Sequence, residues 1–438
     1  MSQISNTISF IILAAGKGSR MKSDKSKVLH EVAGRSLIEH ILHMLPQQST
    51  VFCIVPKNNN EIQDYISARD FNINFVVQEQ QLGTADAVKV AVQSSNITSD
   101  ITIVLYGDTP FISRDIIDDL VEQIRSGYSA AVVGFDYEED NQYGKLITRD
   151  DKLIKITEAI ELGDKNDDYT LCNSGIMAFK TEGLKSVITQ VNNNNKKEEY
   201  YLTDVVSLLN KQGKKVGYVV ADYTEVLGIN DALELAFAEE VFQIGKISEL
   251  LALGVKIIKG ESSYFSADCK IEAGAVIEPN CYIGENVIIK PGVRVKSFSY
   301  LEHCVIGEDS VIGPFAHLRG DVNVGTNCRV GNFVEIKKSN IGKNSKAAHL
   351  SYIGDSLVGN DVNIGAGTIT CNYDGLNKHQ TIIEDGVFIG SNTALVAPIT
   401  LRKGAMVGAG SVITKEVGPN ELAVARGRQI NLAKKTKK

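Results

Sequence analysis

Residues 271–295 read IEAGAVIEPNCYIGENVIIKPGVRV, and an aliphatic side chain recurs at every sixth position. The spacing continues, with a few shorter steps, to residue 413. A period of six held over this length is typical of a hexapeptide parallel β-helix, in which each aliphatic side chain points inward and stacks on its equivalent one coil away. With three hexads to a coil, the repeat predicts about eight coils and, at ~4.8 Å per coil, a stack roughly 40 Å long. A β-sandwich is the alternative, but chance rarely holds one register so long.

One break interrupts this ladder of inward positions. Between Thr370 and Ile383 the sequence reads CNYDGLNKHQTI, which is seven residues more than one hexad. A solenoid extrudes such an insertion as a loop, and loops on one face often bind ligands. The predicted inward positions on the two sides of the break are Ile271, Ile277, Ile283, Ile289, Val295, Leu301, Ile306, Ile312, Leu318, Val324, Val330, Ile336, Ile341, Ala347, Ile353, Val358, Ile364, Ile383, Ile389, Leu395, Leu401, Val407 and Ile413.

The first half of the chain has a different pattern, in which short apolar runs alternate with helical stretches. Two of the predicted helices cover 84–93 and 113–125, with Thr84 and Ser113 as N-caps. This alternation predicts a Rossmann-like α/β domain with a mostly parallel sheet covered on both faces. The predicted buried strands are 9–13, 51–55, 73–77, 101–105 and 129–133.

An amphipathic stretch at 230–252 joins the two patterns. Asn230 or Asp231 is placed to cap the start of a helix there, and Gly254 to end it. We therefore predict a first domain at 1–229, a linker helix at 230–252 and a β-helix domain at 253–438. The lysines at the end of the last domain are expected to form a solvated tail: Lys434, Lys435, Lys437 and Lys438.

Composition excludes several classes of protein. The formal net charge of −7 argues against a general nucleic-acid binder, which usually carries a basic excess. No apolar run approaches the ~18 residues needed to cross a bilayer. The seven cysteines follow no metal-ligand or disulfide spacing, which suits a reducing compartment. We therefore expect a cytoplasmic protein with no membrane or nucleic-acid partner.

A candidate phosphate loop, LAAGKGSR at 13–20, follows the first predicted strand. Its small residues let the backbone approach a phosphate, and Lys17 and Arg20 add positive charge. The loop is not a Walker A motif, because GK[ST] after GxxxxG is missing. It is not a dinucleotide fingerprint either, because Met21 stands where the third glycine would be. From the residues alone, a nucleoside triphosphate site and a simple tight connection remain about equally good interpretations.

Asp108 ends the stretch ITIVLYGD (101–108), which begins with the predicted strand at 101–105, and so lies at the ligand-binding edge of a parallel sheet. A carboxylate beside a phosphate loop suits Mg²⁺, which prefers oxygen ligands. A turn-forming aspartate before Thr109-Pro110 is the alternative, and locally it is the more common one.

Together these motifs resemble a known family. The combination of the hexapeptide repeat with GAGTITCNYDG at 365–375 resembles the bifunctional bacterial N-acetylglucosamine-1-phosphate uridyltransferase/glucosamine-1-phosphate acetyltransferases. The resemblance covers about residues 8 to 428, and the block at 363–375 is its most discriminating motif. The motifs of the first half that resemble sugar-1-phosphate nucleotidyltransferases are LAAGKGSRM (13–21), SKVLH (26–30), QLGTADA (81–87), YGDTP (106–110), YGKLI (143–147) and EYYLTD (199–204).

The resemblance implies a fold, a reaction and an assembly. The enzyme would acetylate glucosamine-1-phosphate with acetyl-CoA, then couple the product to UTP with Mg²⁺, giving UDP-N-acetylglucosamine and pyrophosphate. That product feeds bacterial cell-wall and lipopolysaccharide precursors. The β-helix would be left-handed, and it would assemble as a homotrimer with acetyltransferase sites between subunits.

For the uridyltransferase half, the resemblance implies that Asp108 and Asn230 bind Mg²⁺ and that Lys27 contacts the phosphates. The further residues implied for the nucleotide are Leu13, Ala14, Ala15 and Gly16, and those for the uracil are Gln78, Gly83 and Thr84. The residues implied to lie beside the sugar nucleotide are Tyr106 and Gly107. Those implied to bind N-acetylglucosamine are Gly144, Glu158 and Asn173.

For the acetyltransferase half, the resemblance implies that His349 is the general base. From the residues alone, a second interpretation of each remains open. His349 can be a corner residue whose hydrogen bonds are satisfied within the β-helix. The basic residues can form a solvated face of the protein: Arg319, Lys337, Lys346 and Arg426. The residues implied for the sugar phosphate are Arg319, Lys337, Tyr352 and Asn363, and those for acetyl-CoA are Ala366, Asn372, Tyr373, Ser391, Ala409 and Arg426.

The chain departs from the family pattern at two positions. Ser26 replaces the proline that usually precedes the lysine of PKVLH, which we expect to loosen the turn that presents Lys27. Gly320 replaces a proline after Arg319, which we expect to change loop stiffness more than charge.

Two other functions remain to be weighed. In the first, only the N-terminal half is catalytic, and the β-helix is a structural or regulatory trimerisation module. In the second, the chain is a non-catalytic sugar-nucleotide sensor. The presence of His349 together with the extruded Asn372-Tyr373 loop speaks against the first. The presence of Asp108, Asn230, Lys27 and His349 speaks against the second.

Overall fold

The computed structural model describes residues 8–16, 18–95, 97–137, 141–149, 152–162 and 170–433. Lys17 of the predicted phosphate loop and the four lysines of the predicted basic tail lie outside the described residues. The chain forms two compact units, Met1–Val241 and Phe242–Lys438. Among the described residues, no helix is both long and apolar enough to cross a membrane.

The first unit is built from an α/β alternation. Its strands are β1 (Ile8–Leu13), β2 (Glu31–Val32), β3 (Arg35–Ser36), β4 (Thr50–Pro56), β5 (Asn74–Gln78), β6 (Ile101–Tyr106), β7 (Ala130–Asp136), β8 (Lys145–Arg149), β9 (Lys152–Thr157), β10 (Leu171–Lys180) and β11 (Val216–Val220). The α-helices in the described part of the chain are α1 (Leu37–Met44), α2 (Glu61–Ser67), α3 (Thr84–Ser94), α4 (Arg114–Arg125), α5 (Ala159–Leu162), α6 (Thr181–Val187), α7 (Asp204–Lys211) and α8 (Ala232–Ala252).

The main sheet is mostly parallel, as predicted, and all five predicted strands are confirmed within two or three residues at their ends. The strand order is β11-β7-β10-β6-β1-β4-β5, with β8 and β9 as an antiparallel extension. Only β10 runs antiparallel to its neighbours β6 and β7 in the central path. Buried apolar clusters lie on both faces of the sheet. Because β1 and β6 are adjacent and parallel, the loops that follow them meet at one edge.

The two predicted N-caps have different outcomes. Ser113 caps α4, and its hydroxyl accepts a hydrogen bond from the Ile116 N–H at 3.4 Å. The prediction for Thr84 is wrong, because Thr84 is already the first residue of α3 and Gly83 occupies the N-cap. The Thr84 hydroxyl instead accepts from the Leu202 N–H at 3.0 Å, so it ties α3 to a distant loop.

Helix α8 begins and ends as its sequence predicts. The Asp231 carboxylate accepts hydrogen bonds from the N–H groups of Leu233 and Glu234 at 2.9 and 3.0 Å. At the other end Gly254 adopts a left-handed φ of 89°, and its N–H donates to the Leu251 carbonyl at 3.0 Å. Asp231 is thus the N-cap of α8. The side chain of the preceding residue, Asn230, instead contacts Arg20 and Lys27.

The second unit consists of three parallel sheets of ten, nine and eight strands, consistent with a left-handed β-helix of hexapeptide repeats. The ten-stranded sheet contains Lys256–Ile257, Val276–Ile277, Arg294–Val295, Val311–Ile312, Arg329–Asn332, Lys346–His349, Asn363–Ile364, Phe388–Ile389, Met406–Val407 and Leu422–Ala423. The nine-stranded sheet contains Tyr264–Phe265, Tyr282–Ile283, Tyr300–Leu301, His317–Arg319, Glu335–Lys337, Tyr352–Gly354, Ile369–Cys371, Ala394–Val396 and Val412–Ile413. The eight-stranded sheet contains Lys270–Ile271, Val287–Ile289, Cys304–Ile306, Val322–Val324, Asn340–Ile341, Ser356–Val358, Thr381–Ile383 and Ile399–Leu401.

Every aliphatic residue of the predicted ladder is buried in one continuous core of this unit. Consecutive hexads contribute one strand each to the three sheets in turn, so residues one coil apart are paired in neighbouring strands of the same sheet. The ladder extends further than predicted, from Lys256 to Ala423, which gives the longest sheet ten strands. Burying a side chain of this size contributes ~1.5–3 kcal/mol, so the repeat itself supplies the core.

The predicted loop after residue 370 is confirmed between the strands Ile369–Cys371 and Thr381–Ile383. A single antiparallel bridge joins Tyr373 to Lys378 across it. The Lys378 ammonium lies 4.2 Å from the centre of the Tyr373 ring, which is more than half exposed. The loop therefore offers an aromatic face and a cation beside the β-helix.

Candidate active sites

The first candidate site is an open cavity of about 430 Å³ where the loops after β1 and β6 meet. The Gly107 N–H donates to the Leu13 carbonyl at 2.9 Å, which locks the two loops together. The predicted residues that line the cavity are Leu13, Ala14, Ala15, Gly16, Lys27, Gln78, Gly83, Thr84, Tyr106 and Asp108. The lining residues that were not predicted are Val28, Gln81, Ala87 and Glu199.

Lys27 is the polar centre of this cavity. Its ammonium pairs with the Asp108 carboxylate and donates to Asn230 Oδ1 at 3.1 Å. The Arg20 guanidinium donates to the same Asn230 oxygen at 2.8 Å. Residues separated by more than 200 positions therefore meet at one point, with two cations and two side-chain oxygens.

Asp108 and Asn230 fit the predicted Mg²⁺ site by their chemistry. Both direct an oxygen at one cationic group, and oxygen is the donor that Mg²⁺ prefers. Among the described residues, no cluster of three or more His, Cys, Asp or Glu side chains could hold a metal alone. The two oxygens suit a site that substrate phosphates and water would complete, as Mg²⁺ sites commonly are.

Gln78 and Gly83 also line the cavity. The buried Gln78 side chain donates from Nε2 to Asp86 at 2.8 Å, so its orientation is fixed. Gly83 adopts a φ of 127°, and a Cβ there would lie 2.5 Å from the Tyr200 carbonyl oxygen. Only glycine fits this position without strain.

Gly144, Glu158 and Asn173 are brought together, although they are not among the residues that line the cavity. The Asn173 N–H donates to the Gly144 carbonyl at 2.7 Å, and a Cβ on Gly144 would lie 3.5 Å from the Glu158 carboxylate. Glu158 Oε1 accepts from the Thr203 hydroxyl at 3.1 Å, and burial raises the pKa of Glu158. A half-buried carboxylate of this kind can bind sugar hydroxyls by accepting hydrogen bonds.

The motif residues Gln81 and Glu199 line the cavity but were not assigned a role from the sequence. The Gln81 side chain donates to the Ala15 carbonyl and so ties the QLGTADA segment to the phosphate loop. Both residues lie inside quoted motifs, QLGTADA and EYYLTD, so the signal was present without a role attached to it.

The second candidate site lies along one corner of the β-helix. The paired aliphatics Val330, Ala347, Ile364, Ile389 and Val407 set the register of five successive coils. Two residues beyond each of them along the chain stand Asn332, His349, Ala366, Ser391 and Ala409. His349 and three predicted acetyl-CoA residues therefore occupy equivalent positions, about 4.8 Å apart from coil to coil.

Small side chains at three of these positions leave a strip of accessible backbone that leads to His349. The Arg426 guanidinium donates to the Ala409 carbonyl at 2.6 Å and so lies at the far end of the strip. Tyr373 is exposed on the loop, whereas the Asn372 side chain is buried and donates to Asp355. An extended acyl donor laid along the strip would have its thioester end near the histidine.

His349 is exposed and is oriented by Asn332, a residue the sequence did not single out. The His349 Nδ1 and Asn332 Oδ1 atoms are 2.5 Å apart, and the two residues are register partners. Because an amide oxygen accepts, this contact assigns the proton to Nδ1 and leaves Nε2 as the basic nitrogen.

The predicted sugar-phosphate residues lie on two sheets. Arg319 and Lys337 are register partners on the nine-stranded sheet, and Tyr352 is on the next strand of that sheet. Asn363 belongs to the ten-stranded sheet, where it pairs with Lys346. Arg319 also donates to Glu335 Oε1 through Nε and Nη2 at 3.0 and 2.6 Å. The Glu335 carboxylate therefore offsets part of the positive charge of Arg319 and Lys337.

Gly320, the second departure from the family pattern, adopts a left-handed φ of 69°. One coil further on, Lys338 has a φ of 46°. Proline is fixed near −65°, so this corner of the chain could not hold a proline in its present conformation.

Replacing Asn332 with alanine is expected to lower the kcat of acetyl transfer about tenfold, since one hydrogen bond contributes about 1 kcal/mol. The imidazole would lose the partner that fixes its tautomer. The measurement is the rate of acetyl transfer under saturating substrates. Asn323→Ala, which removes an outward asparagine from the eight-stranded sheet, is the control and should match the parent. An unchanged Asn332→Ala rate would contradict this role.

Comparisons with known proteins agree with the two halves. Residues 10–169 match the MobA-like NTP transferase domain family. Residues 265–297 and 303–338 match the bacterial transferase hexapeptide family, and residues 380–415 match the hexapeptide repeat of succinyl-transferase.

Full-length relatives are also found. The chain is 41% identical to the bifunctional protein GlmU of Bartonella quintana over 422 residues, 96% of this chain and 94% of that protein. It is 41% identical to the bifunctional protein GlmU of Zymomonas mobilis over 437 residues, 98% of this chain and 97% of that protein. Against that of Wolbachia pipientis it is 38% identical over 430 residues, 98% and 99% of the two chains.

The fold and the two sites define a two-part transferase, a nucleotidyltransferase followed by a hexapeptide acyltransferase. Sequence identity of 38–41% over almost the whole length of each relative narrows this class of transferases to one family. The chain belongs to the bifunctional GlmU family. The resemblance drawn from the motifs is thereby confirmed, and the chain is a bifunctional enzyme.

Proposed function

We propose that this chain N-acetylates glucosamine-1-phosphate with acetyl-CoA and then transfers a uridylyl group from UTP to the product, which releases pyrophosphate. The observation that carries the proposal is the column that continues from His349 through Ala366, Ser391 and Ala409. A purely structural prism would have no need for a histidine with an oriented ring at the end of such a strip.

In the acetyl transfer, the neutral Nε2 of His349 takes a proton from the 2-amino group of the sugar. The amine nitrogen forms a bond to the thioester carbonyl carbon, and the carbon–sulfur bond of acetyl-CoA breaks. The protonated His349 gives its proton to the leaving sulfur, so coenzyme A departs as the thiol. Arg319 and Lys337 hold the phosphate of the acceptor, and Tyr352 and Asn363 orient its sugar. Proton transfer by a positioned group of this kind typically contributes ~10²–10⁴-fold to the rate.

In the uridylyl transfer, an oxygen of the sugar phosphate attacks the α-phosphorus of UTP, and the bond to pyrophosphate breaks. Such transfers need positioning and charge neutralisation rather than a protein nucleophile. Lys27 and Arg20 supply fixed positive charge at the phosphates. Asp108 and Asn230 would hold Mg²⁺, which when bound adds further charge neutralisation.

We also propose a homotrimer in a reducing compartment, the cytoplasm. A column of exposed apolar side chains, Phe298, Phe315, Phe333 and Leu350, supports association, because monomers rarely expose a contiguous patch of this kind. The phenyl rings stack 5.0 and 5.1 Å apart between centroids. All seven cysteines are free thiols, in keeping with a reducing compartment.

The test is a pair of half-reactions on the purified chain. One supplies glucosamine-1-phosphate and acetyl-CoA and follows the acetylated sugar by mass spectrometry. The other supplies N-acetylglucosamine-1-phosphate, UTP and Mg²⁺ and follows pyrophosphate. We expect turnover in both. Pyrophosphate release without acetylation would overturn the acetyltransferase half and leave the β-helix as a trimerisation module.

A further inference from the structure

Ser26, the first departure from the family pattern, is held by a carboxylate from a different part of the chain. Its N–H and its hydroxyl both donate to the same oxygen, Glu61 Oε2, at 2.9 and 2.7 Å. Asn59 secures the pair from the side, since its amide donates to the Ser26 hydroxyl at 3.2 Å and accepts from the Glu61 N–H at 2.8 Å. The looser turn expected from the sequence is therefore not what the structure has.

The backbone of Ser26 keeps the conformation that a proline would impose. Its φ is −54° and its ψ is 134°, whereas proline fixes φ near −65°. Ser26 also starts the short 3₁₀ turn Lys27–Leu29, and its carbonyl accepts from the Leu29 N–H at 2.9 Å. A proline could hold this turn through its ring, but it has no N–H to donate to Glu61.

Lys27, the next residue, is confined on its other side by the phosphate loop. Gly18 has a left-handed φ of 59°, and a Cβ there would lie 2.8 Å from the Lys27 Cβ. The lysine side chain thus leaves the backbone between a close glycine and the anchored Ser26, and its ammonium reaches Asp108 and Asn230. Any shift of residue 26 would be passed directly to this ammonium.

We propose that Glu61 is a positioning residue for Lys27, and that its two bonds to Ser26 replace the rigidity that proline gives to other members of the family. This inference rests on the proposed role of Lys27 at the UTP phosphates. Glu61 itself touches no reacting atom. It lies at the start of α2 and acts only through the turn at residue 26.

The experiment compares Glu61→Ala, Glu61→Gln, Ser26→Pro and the double variant Ser26→Pro/Glu61→Ala. Glu61→Ala is expected to lower kcat/KM for UTP about tenfold, because small displacements of a positioning group are costly. Glu61→Gln keeps an acceptor oxygen and should fall between Glu61→Ala and the parent. In the Ser26→Pro background the ring holds the turn, so the double variant should be at least as active as Ser26→Pro alone.

Two controls separate positioning from general damage. Glu31→Ala removes a carboxylate that pairs with Lys25 at 2.9 Å and does not hold residue 26, and it should match the parent. Acetyl transfer by the same samples should also be unchanged, since its site lies in the other unit. Rescue by Ser26→Pro is the decisive result, because a merely structural loss at Glu61 would persist in that background.

The outcomes also separate this inference from the proposed function. If Lys27→Ala abolishes uridylyl transfer while Glu61→Ala is silent, the positioning role is wrong and the function stands. If Glu61→Ala loses the same activity with and without Ser26→Pro, the carboxylate acts in some other way and the inference is overturned. If Lys27→Ala is itself silent, the phosphate role of Lys27 fails and the inference fails with it.

Discussion

Replacing His349 with glutamine is expected to slow acetyl transfer about 10³-fold, within the range usually lost with a general base. Glutamine keeps a polar side chain beside Asn332 but has no basic nitrogen. The sugar amine would then have to lose its proton to water. The measurement is the rate of formation of N-acetylglucosamine-1-phosphate by mass spectrometry. Uridylyl transfer should stay at the parent rate, because its residues belong to the other unit.

The chain offers a matched control for this variant. His303 also faces an asparagine one coil away, with 3.2 Å between its Nδ1 and the Asn286 Nδ2. Both pairs join residues 17 positions apart, but His303 follows a strand of the nine-stranded sheet, whereas His349 ends a strand of the ten-stranded sheet. His303→Gln should leave both activities intact. If His349→Gln also acetylates at the parent rate, His349 is only a corner residue and another group accepts the proton.

The β-helix was predictable from the sequence because its signal is local and repeated. Each hexad places one aliphatic residue inward, and an error at one position is corrected by the next. Strand β10 carried no such signal, since a single buried strand looks the same whether it runs parallel or antiparallel. Thr84 was misplaced by one residue because the decisive constraint, the close approach of Gly83 to Tyr200, is tertiary.

The same difference between local signals and tertiary constraints applies to the site residues. Asp108 was named from its position after a strand, and Lys27 and Asn230 were named from the resemblance. Their convergence joins positions more than 200 residues apart, and spacing alone could not reveal it. Asn332 follows from a coil register that is fixed only once the short steps in the repeat are known. Glu61 gave no signal at all, because its partner Ser26 was interpreted only as a missing proline.

Replacing Asp108 with asparagine is expected to lower the rate of uridylyl transfer by about 10²-fold or more, comparable to removing one preorganised electrostatic contact in other enzymes. The Asp108 carboxylate is the only charged oxygen among the two that face Lys27, and the Lys27 side chain is 13% exposed. In the variant the ammonium faces only neutral amide oxygens, and the oxygen pair that suits Mg²⁺ loses its charge. The measurement is pyrophosphate release over a range of Mg²⁺ concentrations, and the variant should need more Mg²⁺ for half-maximal rate.

A charge-swap variant sharpens this prediction. Because Asp108 and Asn230 direct their oxygens at the same ammonium, Asp108→Asn/Asn230→Asp returns one negative charge to Lys27 from position 230. We expect it to recover part of the lost activity and part of the Mg²⁺ response, which a simple loss of folding could not do. Asp119→Asn on the exposed face of α4 makes the same chemical change away from the cavity and should behave as the parent. An Asp108→Asn enzyme with the parent rate and Mg²⁺ response would remove Asp108 from the metal site.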